Sequence, residues 1–194
     1  MRKFALVAAS AAAMLALSAC SNTYADVVRF HSNQPISRGT LALASADPAV
    51  ADSLEFRTHA ETVAIQLRRL GYSTGLPADQ VQFIATIDVT QADSQGNITR
   101  PGLTPGATAS PVAANVAVPA GGGRRGNQLV RGTVLSVQIR PASGGSNIWE
   151  GRATKEAAAG EAGANPATAV PLLAEALFRD FPGTTGVATR VRID

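Results

Sequence analysis

"QLVRGTVLSVQIRPASGGSNIWEGRAT", residues 128–154, decides the fold. Leu135, Val137 and Ile139 alternate with Ser136, Gln138 and Arg140. In an extended chain that spacing puts the apolar set on one face and the polar set on the other. Pro141 to Ser146, with Gly144-Gly145, is turn chemistry, and "NIWEGRAT", 147–154, reads as a returning strand. Strands joined by so short a turn run antiparallel. Residues 128–154 are therefore a long β-hairpin with one apolar face, and that face needs a covering layer.

Two segments can supply it. Ala60, Val63, Ala64, Leu67 and Leu70 recur at helical spacing. Thr58-His59-Ala60-Glu61 matches a capping box, which predicts the helix start at Thr58. Gly71 suits the left-handed position that closes the helix, with Tyr72 as the apolar residue after it. "SLEF", 53–56, fits either an earlier helical turn or a short strand. Val170, Leu173, Ala174, Leu177 and Phe178 form a second apolar stripe. Pro171 belongs in a first turn, so Thr168 is the expected N-cap. Phe181-Pro182-Gly183 stops that helix.

The remaining order follows from alternation and turn residues. "DVVRFHS", 26–32, and "GTLALAS", 39–45, read as strands on either side of Asn33-Gln34-Pro35. Asp47-Pro48 opens a loop or short helical turn. "QFIATIDVT", 82–90, sets Phe83, Ala85, Ile87 and Val89 against Gln82, Thr86, Asp88 and Thr90, as a half-buried strand does. Residues 157–164 are a connector of small residues, and "VATRVRID", 187–194, alternates as a last strand. The expectation is an α+β two-layer sandwich, with a mostly antiparallel sheet and both helices packed on one face.

The chain opens with Met1-Arg2-Lys3 and then "FALVAASAAAMLA", 4–16. A charged start before a short apolar run is the layout of a secretory signal peptide. The run is shorter than the about 20 residues a membrane-spanning helix needs. It ends in Leu17-Ser18-Ala19-Cys20, which resembles the lipobox of bacterial lipoproteins and holds the only cysteine. That resemblance implies a diacylglyceryl group on the Cys20 sulfur, cleavage before Cys20, and acylation of its new amine. One acyl chain anchors marginally at about 0.8 kcal/mol per buried CH₂; three make release negligible. Ser21, where an aspartate tends to retain such proteins at the inner membrane, points to the outer membrane. The expected organisation is a signal peptide at 1–19, a lipidated tether at 20–25 and one domain at 26–194, facing the periplasm.

Composition narrows the function classes. The 194 residues carry a formal charge of +3, and losing Arg2 and Lys3 with the signal peptide lowers it to +1. No basic run in the mature chain is longer than the pair Arg124-Arg125, so the clustered charge of a nucleic-acid binder is missing from the sequence. Without a cysteine pair the domain must fold on its core. From Asp93 to Asn127 large side chains nearly vanish, and residues 93–127 are expected to be a flexible Pro/Gly/Ala-rich insertion.

Several motifs together resemble a family of bacterial envelope lipoproteins, domain of unknown function 4136. They are Leu67-Arg68-Arg69-Leu70-Gly71-Tyr72 with Ala78-Asp79 after it, Gly132-Thr133-Val134, Trp149-Glu150-Gly151, and Phe181-Pro182-Gly183. The resemblance covers most of 26–194 outside 93–127. Such proteins often have an acidic turn residue where this chain has Arg140-Pro141. The family carries no known reaction, cofactor or catalytic residue.

The residues themselves offer little chemistry. His31 and His59 lie in no ligand-spaced motif, and neither a metal nor a cofactor is expected. Gly121-Gly122-Gly123-Arg124-Arg125-Gly126 lacks the Lys-Ser/Thr of a phosphate-binding loop. Trp149 is either a hairpin side chain packed across strands or an exposed anchor for a partner protein. The leading reading is a non-catalytic, lipid-anchored binding or accessory module. Its partners are the membrane, through Cys20, and an envelope protein, lipid or glycan, with no nucleic acid. The alternative is an envelope-acting hydrolase using carboxylates such as Glu55, Asp79 or Asp88, and a purely structural lipoprotein is a third possibility.

Overall fold

The computed structural model describes residues 24–32, 35–93, 98–99 and 129–193. They form strands β1 (Tyr24–His31), β2 (Thr40–Ser45), β3 (Ser73–Thr74), β4 (Phe83–Asp93), β5 (Ile98–Thr99), β6 (Val130–Pro141), β7 (Trp149–Ala158) and β8 (Thr189–Arg192). The helices are α1 (Leu54–Arg69) and α2 (Pro166–Phe178). The hairpin is β6–β7, antiparallel with Val137 opposite Gly151 and Ile139 opposite Trp149. The sheet order is β3-β2-β4-β6-β7-β1-β8, with β5 beside β4. Both helices pack on its apolar face, giving the expected α+β sandwich.

One part of the sheet is parallel. β2 pairs β3 and β4 in parallel. A connection between parallel neighbours must cross over the sheet, and α1 makes that crossing from β2 to β4. Alternation within each strand was visible in the sequence, but which strands pair was not. β1 accordingly lies between β7 and β8 rather than beside β2.

Three boundaries differ from expectation. Ser53 caps α1 by accepting a hydrogen bond from Phe56 N, so "SLEF" holds the N-cap and the first turn. Thr58 is inside the helix, its hydroxyl donating to Leu54 O, so it is not the cap. Asn165 caps α2, its side chain accepting from Ala167 N, with Pro166 in the first position. Asn-Pro is the favoured cap and first residue together. It outcompetes Thr168, and Pro171 is left inside the helix. Pro171 and Ala167 are both exposed, so the carbonyl that Pro171 cannot serve is open to water. Lastly, β1 starts at Tyr24 with Ala25 fully buried, so Tyr24 and Ala25 belong to the domain and not to the tether.

The far end of α1 follows the sequence. Gly71 takes φ 92°. Gly71 N donates to Arg68 O and Tyr72 N to Leu67 O, which closes the last turn. In the stretch read as an insertion, Asp93 completes β4, and Ile98 and Thr99 pair with Ala92 and Gln91. The rest of 93–127, like residues 1–19 and Cys20, lies outside the described residues.

The core sits between helices and sheet. Leu41, Val63, Leu67, Ile87, Leu135, Val137, Ile139, Trp149, Leu173 and Leu177 have almost no exposed surface. Each fully buried aliphatic side chain contributes about 1.5–3 kcal/mol. Gly151 shows how closely the layers fit: a Cβ there would lie 2.8 Å from Leu177 Cδ1 and would overlap the Trp149 ring. We expect Gly151→Ala to cost about 1–3 kcal/mol by overpacking. A lowered urea midpoint with unchanged slope would show it, and an unchanged midpoint would contradict this packing.

Candidate functional site

The end of α2 is held by one arginine. An α-helix leaves its last carbonyls without intrahelical donors. Here each one is accounted for. Glu175 O accepts from Arg179 N and Phe178 O from Phe181 N. Ala176 O, Leu177 O and Arg179 O accept from Arg29, through Nη2 at 2.8 Å, Nε at 2.8 Å and Nη2 at 2.9 Å. Arg29 comes from β1, 5% exposed, on the same face as Val27. A cation there also meets the negative end of the helix dipole. Burial pulls the guanidinium pKa below its ordinary value, and the nearby Asp180 carboxylate opposes that shift.

The chain then turns over this arginine. Asp180 takes φ 59°, the Phe181–Pro182 bond is cis, and Gly183 takes φ 81°. A Cβ on Gly183 would lie 2.5 Å from Arg29 Cδ, so no larger residue fits without displacing the fork. His31 Nε2 is 3.0 Å from Gly183 O, and Gly186 N donates to Arg29 O. The turn is thus tied back to β1 on both sides.

Trp149 supports the same turn from below. Its ring stacks on Phe178 at 5.5 Å and lies tilted against Phe181 at 5.2 Å. Its indole N–H donates to Pro182 O at 3.0 Å. Tyr72 meets Phe181 and Phe83 edge-on, which joins the end of α1 to the same aromatic cluster. Trp149 is 0% exposed, so the exposed-anchor role considered for it is not open in this fold. The ring is spent on packing and its polar atom on the turn.

Above the turn lies an open cleft of about 560 Å³, lined by Arg29, Arg179, Arg190 and Arg192, with Asp180 as its acidic group. Arg179 donates to Arg192 O at 2.9 Å and pairs with Glu175 at 3.0 Å. Arg190 pairs with Asp26 at 3.2 Å. Sequence reading missed this cluster because its arginines come from β1, the end of α2 and β8. No run of basic residues announces it.

The carboxylates named from the sequence do not converge. Glu55 is in the first turn of α1, on the helix side of the sheet. Asp88 follows Ile87 in β4, and the pleat sends it to the opposite face. Asp79 is exposed in a short 3-10 turn between β3 and β4. Among the described residues, no group of three or more His, Cys, Asp or Glu side chains is placed to hold a metal ion. His59 is buried in α1 at 4% exposure, and among the described residues its Nε2 has no hydrogen-bond partner. Glu55 Oε1 is 3.7 Å away, too long for a hydrogen bond. Burial lowers the His59 pKa from its ordinary value, and the attraction of Glu55 only partly offsets this.

Compared with known proteins, the chain is 26% identical to an uncharacterized protein of Zymomonas mobilis subsp. mobilis, over 86% of this chain and 80% of that one. No protein-family model matches it. Among solved structures it is similar to the PelC dodecamer from Paraburkholderia phytofirmans, at 10% identity and a TM-score of 0.38, over 76% of this chain and 91% of that chain. It is also similar to a PDZ domain protein from Parabacteroides distasonis, at 13% identity and a TM-score of 0.48, over 94% of this chain and 41% of that one. At those scores neither likeness bears on function.

Two outcomes follow from these buried groups. Arg29→Met keeps most of the side-chain volume but strands three carbonyls, and should cost about 3 kcal/mol or more. Urea unfolding measures it, and a loss under 1 kcal/mol would mean that water replaces the fork. His59 is neutral in the fold, while in the unfolded chain it gains a proton near pH 6.5. The stability His59 contributes is therefore complete above about pH 6.5 and is lost as pH falls below that toward its lowered folded pKa. Melting temperatures at pH 7.5 and pH 5 should differ more in the native chain than in His59→Leu, and equal differences would sink this account.

Proposed function

We propose that the chain is a lipid-anchored module of the bacterial cell envelope. It is held at the outer membrane by acyl groups on Cys20 and faces the periplasm. It works by binding an envelope protein, lipid or glycan rather than by catalysis. The observation that carries this reading is Leu17-Ser18-Ala19-Cys20 at the end of a short apolar run, four residues before the domain begins at Tyr24. The placement of Glu55, Asp79 and Asp88 supports binding over carboxylate hydrolysis, since a catalytic pair must share one substrate. Membership of domain-of-unknown-function family 4136 belongs to the same proposal. Its motif residues Tyr72, Trp149, Gly151 and Phe181-Pro182-Gly183 build one connected cluster, which gives their joint occurrence a packing reason.

The test is metabolic labelling with a fatty-acid probe in a lipoprotein-processing bacterial host. The native chain should take up label and fractionate with the outer membrane. Cys20→Ala should take up none and leave that fraction. Label persisting in Cys20→Ala would end the anchor reading.

A further inference from the structure

We infer that the open face of β1 lies flat on the membrane that carries the acyl anchor, with Tyr24, Val28 and Phe30 set among zwitterionic phospholipid headgroups. This rests on the reading of Cys20 as the lipidated residue, and adds to it a contact made by the folded domain.

The pleat of β1 sorts its side chains. Ala25, Val27 and Arg29 are buried on the side that the helices cover. Tyr24, Asp26, Val28 and Phe30 take the opposite face. Tyr24 is 44% exposed and Phe30 51%. Among the described residues these two are the exposed aromatic side chains. Apolar residues scattered singly are ordinary on a surface. Here two aromatics share one face of one strand, with Val28 half-buried between them. Six residue steps make this a strip of roughly 20 Å. An apolar strip left open in this way marks a contact surface.

Position says what it contacts. Four residue steps separate Cys20 from Tyr24. Whatever conformation they take, they span at most about 14 Å. With Cys20 acylated, one end of the strip stays within that reach of the headgroup layer. Tyr24 is an aromatic with a polar tip, of the kind favoured at a membrane–water interface. Phe30 joins it there if β1 lies along the surface rather than standing on it.

Charge on this face fits the same surface. Arg192 and Arg190 lie opposite Tyr24 and Asp26 in β8, and Arg190 pairs with Asp26. Arg152 and Glu150 lie opposite Val28 and Phe30 in β7, and Glu156 shares their alternation. Carboxylates and guanidinium groups are thus balanced around the strip, and a zwitterionic headgroup offers both countercharges. Arginine stems can cover apolar surface while their heads reach lipid phosphates. Balanced charge exerts little long-range pull. Attachment therefore depends on the anchor, which makes the contact intramolecular.

The lipid leaves room for a specific probe. Cys20 is the only cysteine in the sequence, and its thiol is consumed by acylation, so an added cysteine can be labelled alone. Glu150→Cys puts a bimane beside Phe30 on the proposed face. Thr58→Cys puts one on the exposed side of α1, across the sheet. The full lipidated chain is reconstituted in phosphatidylcholine vesicles that carry a nitroxide-labelled lipid. We expect quenching at least about threefold stronger for the Glu150→Cys probe than for the Thr58→Cys probe, because only the first faces the bilayer. Tyr24→Ser/Phe30→Ser should remove that difference, and Tyr24→Trp/Phe30→Trp should keep it, with melting curves confirming that both fold. Equal quenching at the two positions, or quenching indifferent to the serine variant, would overturn the contact. Cross-linking of Glu150→Cys chains to each other without lipid quenching would mean that the strip meets a second copy, and would overturn it too. A chain that takes up fatty-acid label and floats with the vesicles but shows equal quenching loses the contact and keeps the anchor. A chain that takes up no label loses the anchor, and the contact with it.

Discussion

The packing of α2 depends on a single buried guanidinium. A helix that ends inside a protein must find donors for its last carbonyls, or lose the free energy of each stranded group. Arg29 serves three of them at once from the neighbouring strand. The fork therefore fixes the distance and angle between β1 and the end of α2. It also explains the backbone that follows. The chain can pass over Arg29 only if it carries no side chain at the crossing, and Gly183 meets that condition.

The same device appears at the other helix. Gly71 closes α1 with positive φ, and Arg38 donates to Leu70 O across it. A Cβ on Gly71 would lie 3.0 Å from Arg38 Cδ. In both cases a glycine turn leaves room for an arginine to cap a helix. The two ends are then joined by aromatic contacts, from Phe83 through Tyr72 and Phe181 to Trp149 and Phe178. Both helices are thereby locked at one end of the sheet, where the hairpin turns at residues 142–148 and Trp149 enters β7.

This architecture divides the residues that chemistry would notice first. The tryptophan and the histidine of α1 are buried, and the named carboxylates are spread over both sides of the sheet. Arginines collect where β1, β8 and the α2 turn meet. Four arginines are gathered there from distant parts of the chain, with Asp26, Glu175 and Asp180 among them. Net charge could not reveal this, because it sums over the surface and is blind to position. β8 also ends the sheet as a four-residue edge with two arginines, which discourages pairing with another chain.

By itself, the sequence determined the elements and their faces. Alternation at 135–139 and 83–89, the helical spacing at 60–70 and 170–178, and Gly71 after the helix were all legible. Each is a local consequence of strand pleat, helix turn or glycine conformation. Helix starts were harder, because Ser53 and Thr58, or Asn165 and Thr168, are competing caps. The choice between them depends on which residues the helix must bury. Only the tertiary structure decided that β2 and β4 run parallel, that Trp149 is interior, and that Arg29 reaches the carbonyls of Ala176, Leu177 and Arg179. The Arg29 contacts join residues 147 to 150 positions apart. They depend on where whole strands lie in the sheet, and strand order is set by burial of the complete apolar surface, which no local pattern contains.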